Sequence, residues 1–232
     1  MSLSLNHQSY PIAGIILDMD GLLIDSESTY CEAWMEASRN LNAPMTVEFC
    51  TSLFGQDAAS VMRAFQDHLG GEEEVMGFMR EATQVWHQSV QNNGIRPMPG
   101  AMELLDRLRV LDIPFMVATN SESKFAEIGL RQSGLDTLIT RYLSRDEVRF
   151  GKPAPDLFLR AAELMNIKPE ACWVLEDSLT GLKAAKAAGC WSVMIQSDPK
   201  RQTQGQHLAH VCLKDLTAFT HFFLDSQEEH AI

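Results

Sequence analysis

Short, continuous apolar runs, one near the start and the rest alternating with helical stripes over the last two-thirds of this 232-residue chain, leave few folds open. The runs are Ile12–Leu17, Ile113–Ala118, Cys172–Leu175 and Trp191–Ile195, with weaker cases at Leu138–Leu143 and Val211–Leu213. A strand that is apolar at successive positions has no face to offer water, so it belongs in a parallel sheet covered on both sides. Between the runs, Leu104, Leu105, Leu108 and Leu111 recur at helical spacing, as do Leu157, Ala161, Leu164 and Met165. Leu182, Ala185 and Ala188 form a third stripe, closed by Gly189 in the usual helix-stop position. Strand and helix alternating in this way predict an α/β fold, a doubly wound (Rossmann-like) parallel sheet core.

Residues 28–93 interrupt the pattern, because they contain helical stripes and no strand-like run. The stripes are Tyr30, Ala33, Trp34, Ala37, Leu41; Ala58, Val61, Met62, Phe65, Leu69; and Val75, Phe78, Met79, Ala82, Val85, Trp86. This predicts a small α-helical domain at 27–94 inserted into a core made of 1–26 and 95–232. Gly94, Pro97, Pro99 and Gly100 mark the return to the core. Trp34 and Trp86 lie on the apolar stripes and read as core residues.

Acidic residues outnumber basic ones 31 to 19, a net charge of −12. That balance disfavours nucleic acid and anionic membrane surfaces as partners. No apolar run reaches the ~20 residues of a membrane span, and Met1–Tyr10 has no signal-peptide core. The five cysteines are scattered with no C-x-x-C pair, so buried thiols in a reducing, cytoplasmic setting are expected. His207 and His210 fall in a polar stretch and read as surface residues.

The first apolar run ends in Asp18-Met19-Asp20-Gly21. Ligands of open α/β sheets bind at the carboxyl ends of the strands. Residues two apart in an extended chain point to one side, so Asp18 and Asp20 would repel unless a hard cation such as Mg²⁺ neutralised them. One carboxylate then suits a nucleophile and metal ligand, the other a general acid and base. Later strand ends carry Thr119-Asn120-Ser121 and Glu176-Asp177-Ser178, and Lys152 stands in a loop before a helix. Taken singly, each has an ordinary reading: a helix N-cap for Ser121 or Ser178, a surface lysine, a polar strand end. All of them fall on one predicted sheet edge.

In this order, D-x-D-G, Thr-Asn, Lys-Pro and Glu-Asp-Ser resemble the motifs of the haloacid dehalogenase-like (HAD) superfamily. The resemblance spans nearly the whole chain, and the helical insert looks like that family's cap. The similar branch holds phosphoglycolate phosphatases, sugar-phosphate phosphatases and β-phosphoglucomutases. It implies a cytoplasmic phosphatase acting on a small phosphomonoester, a sugar, polyol or glycolate phosphate, as a monomer or weak dimer. Asp18 would form an aspartyl-phosphate, and Asp20 would protonate the leaving group and activate water. Thr119 and the Asn120 backbone would hold phosphate oxygens, Gly21 is a further candidate for substrate binding, and Lys152 would neutralise Asp18 and the phosphoryl group. Mg²⁺ would be held by Asp18, the Asp20 main-chain carbonyl and Asp177, with Glu176 beside them. True dehalogenases lack the second aspartate, so dehalogenation is not expected.

The alternatives are a β-phosphoglucomutase-like phosphotransferase and a catalytically silent protein that binds a phosphorylated ligand. Residues 27–95 hold ten acids, three bases and no lysine. A cap without lysine does not fit the superfamily's phosphonate-cleaving members, which need one. A mutase must hold a second phosphate, and mutases of the family carry a histidine where this chain has Tyr30. Hydrolysis of a monophosphate with a neutral leaving group is therefore expected, with Asp25 and Glu27 as candidate partners for its hydroxyls. A receiver-type switch domain uses similar residues in another order and has no such insert.

Overall fold

A computed structural model of the chain describes residues 2–5, 8–56 and 58–228. It divides into two compact units, Met1–Ile24 with Pro97–Ile232, and Asp25–Arg96. The larger unit opens with a hairpin of β1 (Ser2–Leu5) and β2 (Gln8–Pro11), paired antiparallel. The sequence reading placed no strand in Met1–Tyr10, so it missed these two. Strand β3 (Gly14–Leu17) follows, buried at every position.

The smaller unit contains α1 (Ser26–Asn40), α2 (Val47–Ser52), α3 (Ala58–Leu69) and α4 (Glu72–Asn93). Asp25 caps α1 by accepting the Ser28 N–H, and Thr46 caps α2 by accepting that of Phe49. Three acids in the first turn of α4 complement its dipole, and Gly94 ends it at φ +71. The apolar stripes close on one core around Phe65, Phe78, Val75, Cys50 and Ala37. Phe65 takes Trp34 edge-on at 5.2 Å. Tyr30 stacks on Trp86 at 5.2 Å, and the Trp86 indole N–H donates to Thr29 Oγ1 at 3.0 Å. Trp86 is therefore core, as its stripe predicts.

In the larger unit the chain continues through α5 (Ala101–Val110), β4 (Phe115–Ala118), α6 (Ser123–Ser133), β5 (Tyr142–Leu143) and α7 (Asp156–Met165). It then runs through β6 (Cys172–Glu176), α8 (Leu179–Ala188), β7 (Trp191–Ile195), α9 (Pro199–Gly205), β8 (Val211–Leu213) and α10 (Leu216–Glu228). Six strands form one parallel sheet in the order β5-β4-β3-β6-β7-β8. The weak run at 138–143 yields only the two residues of β5, preceded by a 3₁₀-helix at Leu135–Thr137. The first core strand sits in the middle and the chain winds outward on either side of it. The topological switch point is therefore at β3, where β4 and β6 flank it.

Alternation along the strands decides which helices meet which side chains. Ile16, Met116, Ala118 and Val174 face Leu157, Phe158 and Ala161 of α7 and Ala184, Ala185 and Ala188 of α8. Asp18 and Glu176 share the parity of Ile16 and Val174, so they continue this face to the carboxyl edge of the sheet. Among the described residues, no helix is long and apolar enough to cross a membrane.

Candidate active site

Strand register brings the motif residues together. Leu17 pairs with Val117 on one side and Leu175 on the other, so Asp18, just past β3, stands between Ala118 and Glu176, the last residues of β4 and β6. The Asp18 N–H still donates to Leu175 O at 3.1 Å, which holds the aspartate in line with Glu176. After Asp20 the chain turns at Gly21, where φ is +76, and the Gly21 N–H donates to Ile24 O at 2.9 Å. A Cβ at Gly21 would stand 2.7 Å from Asp177 Oδ2, so a glycine is required for space as well as for dihedrals.

Lys152 enters on the α7 side, in the loop before that helix. Its Nζ donates to Asp18 Oδ1 at 2.5 Å and to Glu176 Oε1 at 2.6 Å, and lies 4.8 Å from the centre of the Phe158 ring. All three charged groups are buried. Burial works against the ammonium, but Asp18 and Glu176 outweigh it and hold Lys152 above the ordinary lysine range. Burial also pushes Asp18 up to about 8, with Glu176 and Asp20 adding to the effect and Lys152 opposing it. Lys152 is thus no surface lysine.

The second oxygen of Glu176 is fully engaged. Oε2 accepts the Ser178 N–H at 3.1 Å and its hydroxyl at 2.9 Å. Ser178 is the N-cap of α8 and accepts the Gly181 N–H at 3.0 Å. Gly181 leaves room for the carboxylate, since a Cβ there would fall 1.7 Å from Glu176 Oε1. Asp177, also buried, has its carbonyl bonded by Gln196 and its Oδ2 3.5 Å from Arg201 Nη2. Gln196 and Arg201 had no motif to mark them in the sequence.

The end of β4 serves two partners. The hydroxyls of Thr119 and Ser121 both donate to Asp20 Oδ2, at 2.9 and 2.7 Å, and the Ser121 N–H donates to Thr119 Oγ1 at 2.9 Å. Ser121 is therefore not the N-cap of α6, a position held by Glu122 without a side-chain bond. The Asn120 side chain bonds the main chain of Lys152 in both directions. Asp25 and Glu27 belong to the smaller unit, at the start of α1, where Asp25 caps the helix and lies 3.5 Å from Arg96. His207 and His210 are exposed, as expected, although His210 Nδ1 accepts the Ser192 N–H.

A family model for haloacid dehalogenase-like hydrolases matches residues 12–189, which include every strand-end motif described above. The chain belongs to the haloacid dehalogenase-like hydrolase family. Within that family it is 31% identical over 186 residues to fructose-1-phosphate phosphatase YqaB of Escherichia coli strain K12, covering 79% of this chain and 96% of that protein. It is 30% identical over 186 residues to hexitol phosphatase A of the same strain, covering 79% of this chain and 83% of that protein. A crystal structure of a haloacid dehalogenase-like hydrolase from Deinococcus radiodurans, with bound phosphate and sodium, superposes with a TM-score of 0.77 at 26% identity. That match covers 94% of this chain and 97% of the other.

The donor set suits a metal ion of this family's kind. Asp18, Glu176 and Asp177 each offer a carboxylate oxygen, all within 4.8 Å of one another and all buried. Hard oxygen donors at that spacing match Mg²⁺, and a divalent cation would offset carboxylates that otherwise repel.

Proposed function

We propose that this protein is a magnesium-dependent phosphatase that hydrolyses small sugar or polyol monophosphates through an aspartyl-phosphate on Asp18. The observation that carries this reading is the pairing of Asp18 with a buried ammonium at the switch point, with Asp20 held two residues away by two hydroxyls. A metal held by Asp18, Asp177, the Asp20 carbonyl and Glu176 would supply the positive charge that lets a carboxylate approach a phosphoryl group.

The residues then divide the work. An Asp18 oxygen attacks phosphorus while the bond to the leaving alcohol breaks, and Asp20 gives that alcohol its proton. Lys152 neutralises charge on Asp18 and on the phosphoryl oxygens. The Thr119 hydroxyl and the Asn120 backbone N–H bind those oxygens, while Ser121 keeps its bond to Asp20. Asp20, now ionised, takes a proton from water as that water attacks the aspartyl-phosphate, releasing phosphate and regenerating Asp18.

Relatives named for fructose 1-phosphate and hexitol phosphates support a hydroxylated, otherwise neutral leaving group. Tyr30 supports hydrolysis over mutase chemistry, because its ring is stacked on Trp86 and a phenol does not exchange protons at neutral pH as imidazole does. A screen of sugar, polyol, glycolate and nucleoside monophosphates with Mg²⁺, alongside Asp18→Asn, tests the proposal. Turnover of a sugar or polyol phosphate that Asp18→Asn abolishes is the expected result. Full activity in Asp18→Asn would overturn the nucleophile.

A further inference from the structure

Lys152 stands in a loop, and loops do not by themselves hold a side chain to a fraction of an ångström. The Asn120 carboxamide lies against the Lys152 peptide and makes two bonds to it. Asn120 Oδ1 accepts the Lys152 N–H at 2.8 Å, and Asn120 Nδ2 donates to the Lys152 carbonyl at 3.1 Å. The side chain thus imitates a neighbouring strand, tying the end of β4 to a residue 32 positions away. Gly151 keeps the contact close, because a Cβ there would stand 2.5 Å from both Asn120 Oδ1 and Arg145 Cδ. Arg145 steadies the approach to the loop, donating to Val148 O at 3.1 Å and Arg149 O at 3.4 Å.

We infer that Asn120 is a positioning residue for catalysis, and that its side chain fixes the Lys152 backbone so that the ammonium meets Asp18 and Glu176. The consequence for the end of β4 is a division of labour: Ser121 orients the acid–base group, and the Asn120 side chain orients the cation. This rests on the role given to Lys152 in the proposed function. Displacing a catalytic group by about 1 Å can cost roughly 10²-fold in rate.

The test is steady-state hydrolysis of fructose 1-phosphate with Mg²⁺ by the full chain, comparing Asn120→Ala, Gly151→Ala, Lys152→Ala and the Asn120→Ala/Lys152→Ala pair. Asn120→Ala is expected to lower kcat about 10- to 100-fold with KM changed less than about threefold. Gly151→Ala, which keeps the amide but pushes the loop off it, is expected to do the same, and it decides the matter if Asn120→Ala melts early. The double variant is expected to be no slower than Lys152→Ala alone, because a misplaced lysine and a missing one are the same loss. Unchanged kcat in Asn120→Ala and Gly151→Ala, or losses that multiply in the double variant, would overturn the inference. Those results beside an inactive Lys152→Ala remove only the role of Asn120. Full activity in Lys152→Ala also overturns it, and then the fault lies in the proposed function itself.

Discussion

Lys152 Nζ lies 2.5 Å from Asp18 Oδ1, although the two residues are 134 positions apart. The pair is buried and shares its ammonium with Glu176, so the site concentrates charge where water is largely excluded. Its cost and its use are both measurable.

Asp18 should be a stability cost at neutral pH. Its carboxyl is raised from 3.8 to about 8, chiefly by burial, so the folded protein holds that proton more tightly than the unfolded chain does. The penalty therefore grows as pH rises above 3.8 and is complete above about 8. In EDTA at pH 7.5, Asp18→Asn is expected to melt about 2–4 °C higher than wild type, with the gap closing toward pH 4. A lower melting temperature at pH 7.5 would contradict the assignment.

Magnesium should stabilise the wild type and do much less for a chain lacking one ligand. At a hundredfold excess over Kd, binding to the native state alone is worth about 2.7 kcal/mol. Differential scanning fluorimetry with and without Mg²⁺ should show a clear upward shift for wild type and most of it gone for Asp177→Asn. Equal shifts in both would remove Asp177 from the metal site.

Gly181 is a packing requirement in the first turn of α8. A methyl group there would meet a carboxylate already held by Lys152 and Ser178, so either the helix or Glu176 must move. Urea titration of Gly181→Ala is expected to show a loss of about 1–3 kcal/mol, the range for overpacking, together with a large loss of kcat. Wild-type stability and turnover would mean that the helix end adjusts freely.

Asp146, in the 3₁₀-helix Arg145–Glu147, ties down the first residue of α6. It accepts the Ser123 N–H at 2.9 Å and the Ser123 hydroxyl at 3.1 and 3.0 Å, and these bonds, with Ser144, lower its carboxyl from 3.8 to about 2. The folded value lies below the unfolded one, so the contribution is present above pH 3.8 and is lost as pH falls toward 2. Asp146→Ala is expected to lower the urea midpoint at pH 7 and to make little difference near pH 2.5. A constant difference across that range would show that the charge plays no part.

The charge on residues 27–95, ten acids against three bases, should show in substrate preference. A sugar monophosphate is expected to have a kcat/KM at least about tenfold above that of the corresponding bisphosphate, since those residues offer a second phosphate few cations to pair with. Preference for the bisphosphate would overturn the idea of a neutral leaving group.

The sequence by itself determined the layers and the cast of the site. Apolar runs such as Ile15-Ile16-Leu17 could only be doubly covered strands, and the acids at their ends fell on the ligand-binding edge because parallel strands share one direction. Leu3 and Leu5 alternate with serines in β1, a period-two signal that polar composition obscured. Tertiary structure alone decided the partners. Ser121 looks like a helix cap in one dimension, yet register at the end of β4 turns its hydroxyl to Asp20. Lys152 looks like an exposed cation, yet α7 packs on the face shared by Asp18 and Glu176 and carries its loop to them. Local sequence sets periodicity and capping, whereas a hydrogen bond between residues 32 or 134 apart depends on which strands pair and which face each helix covers.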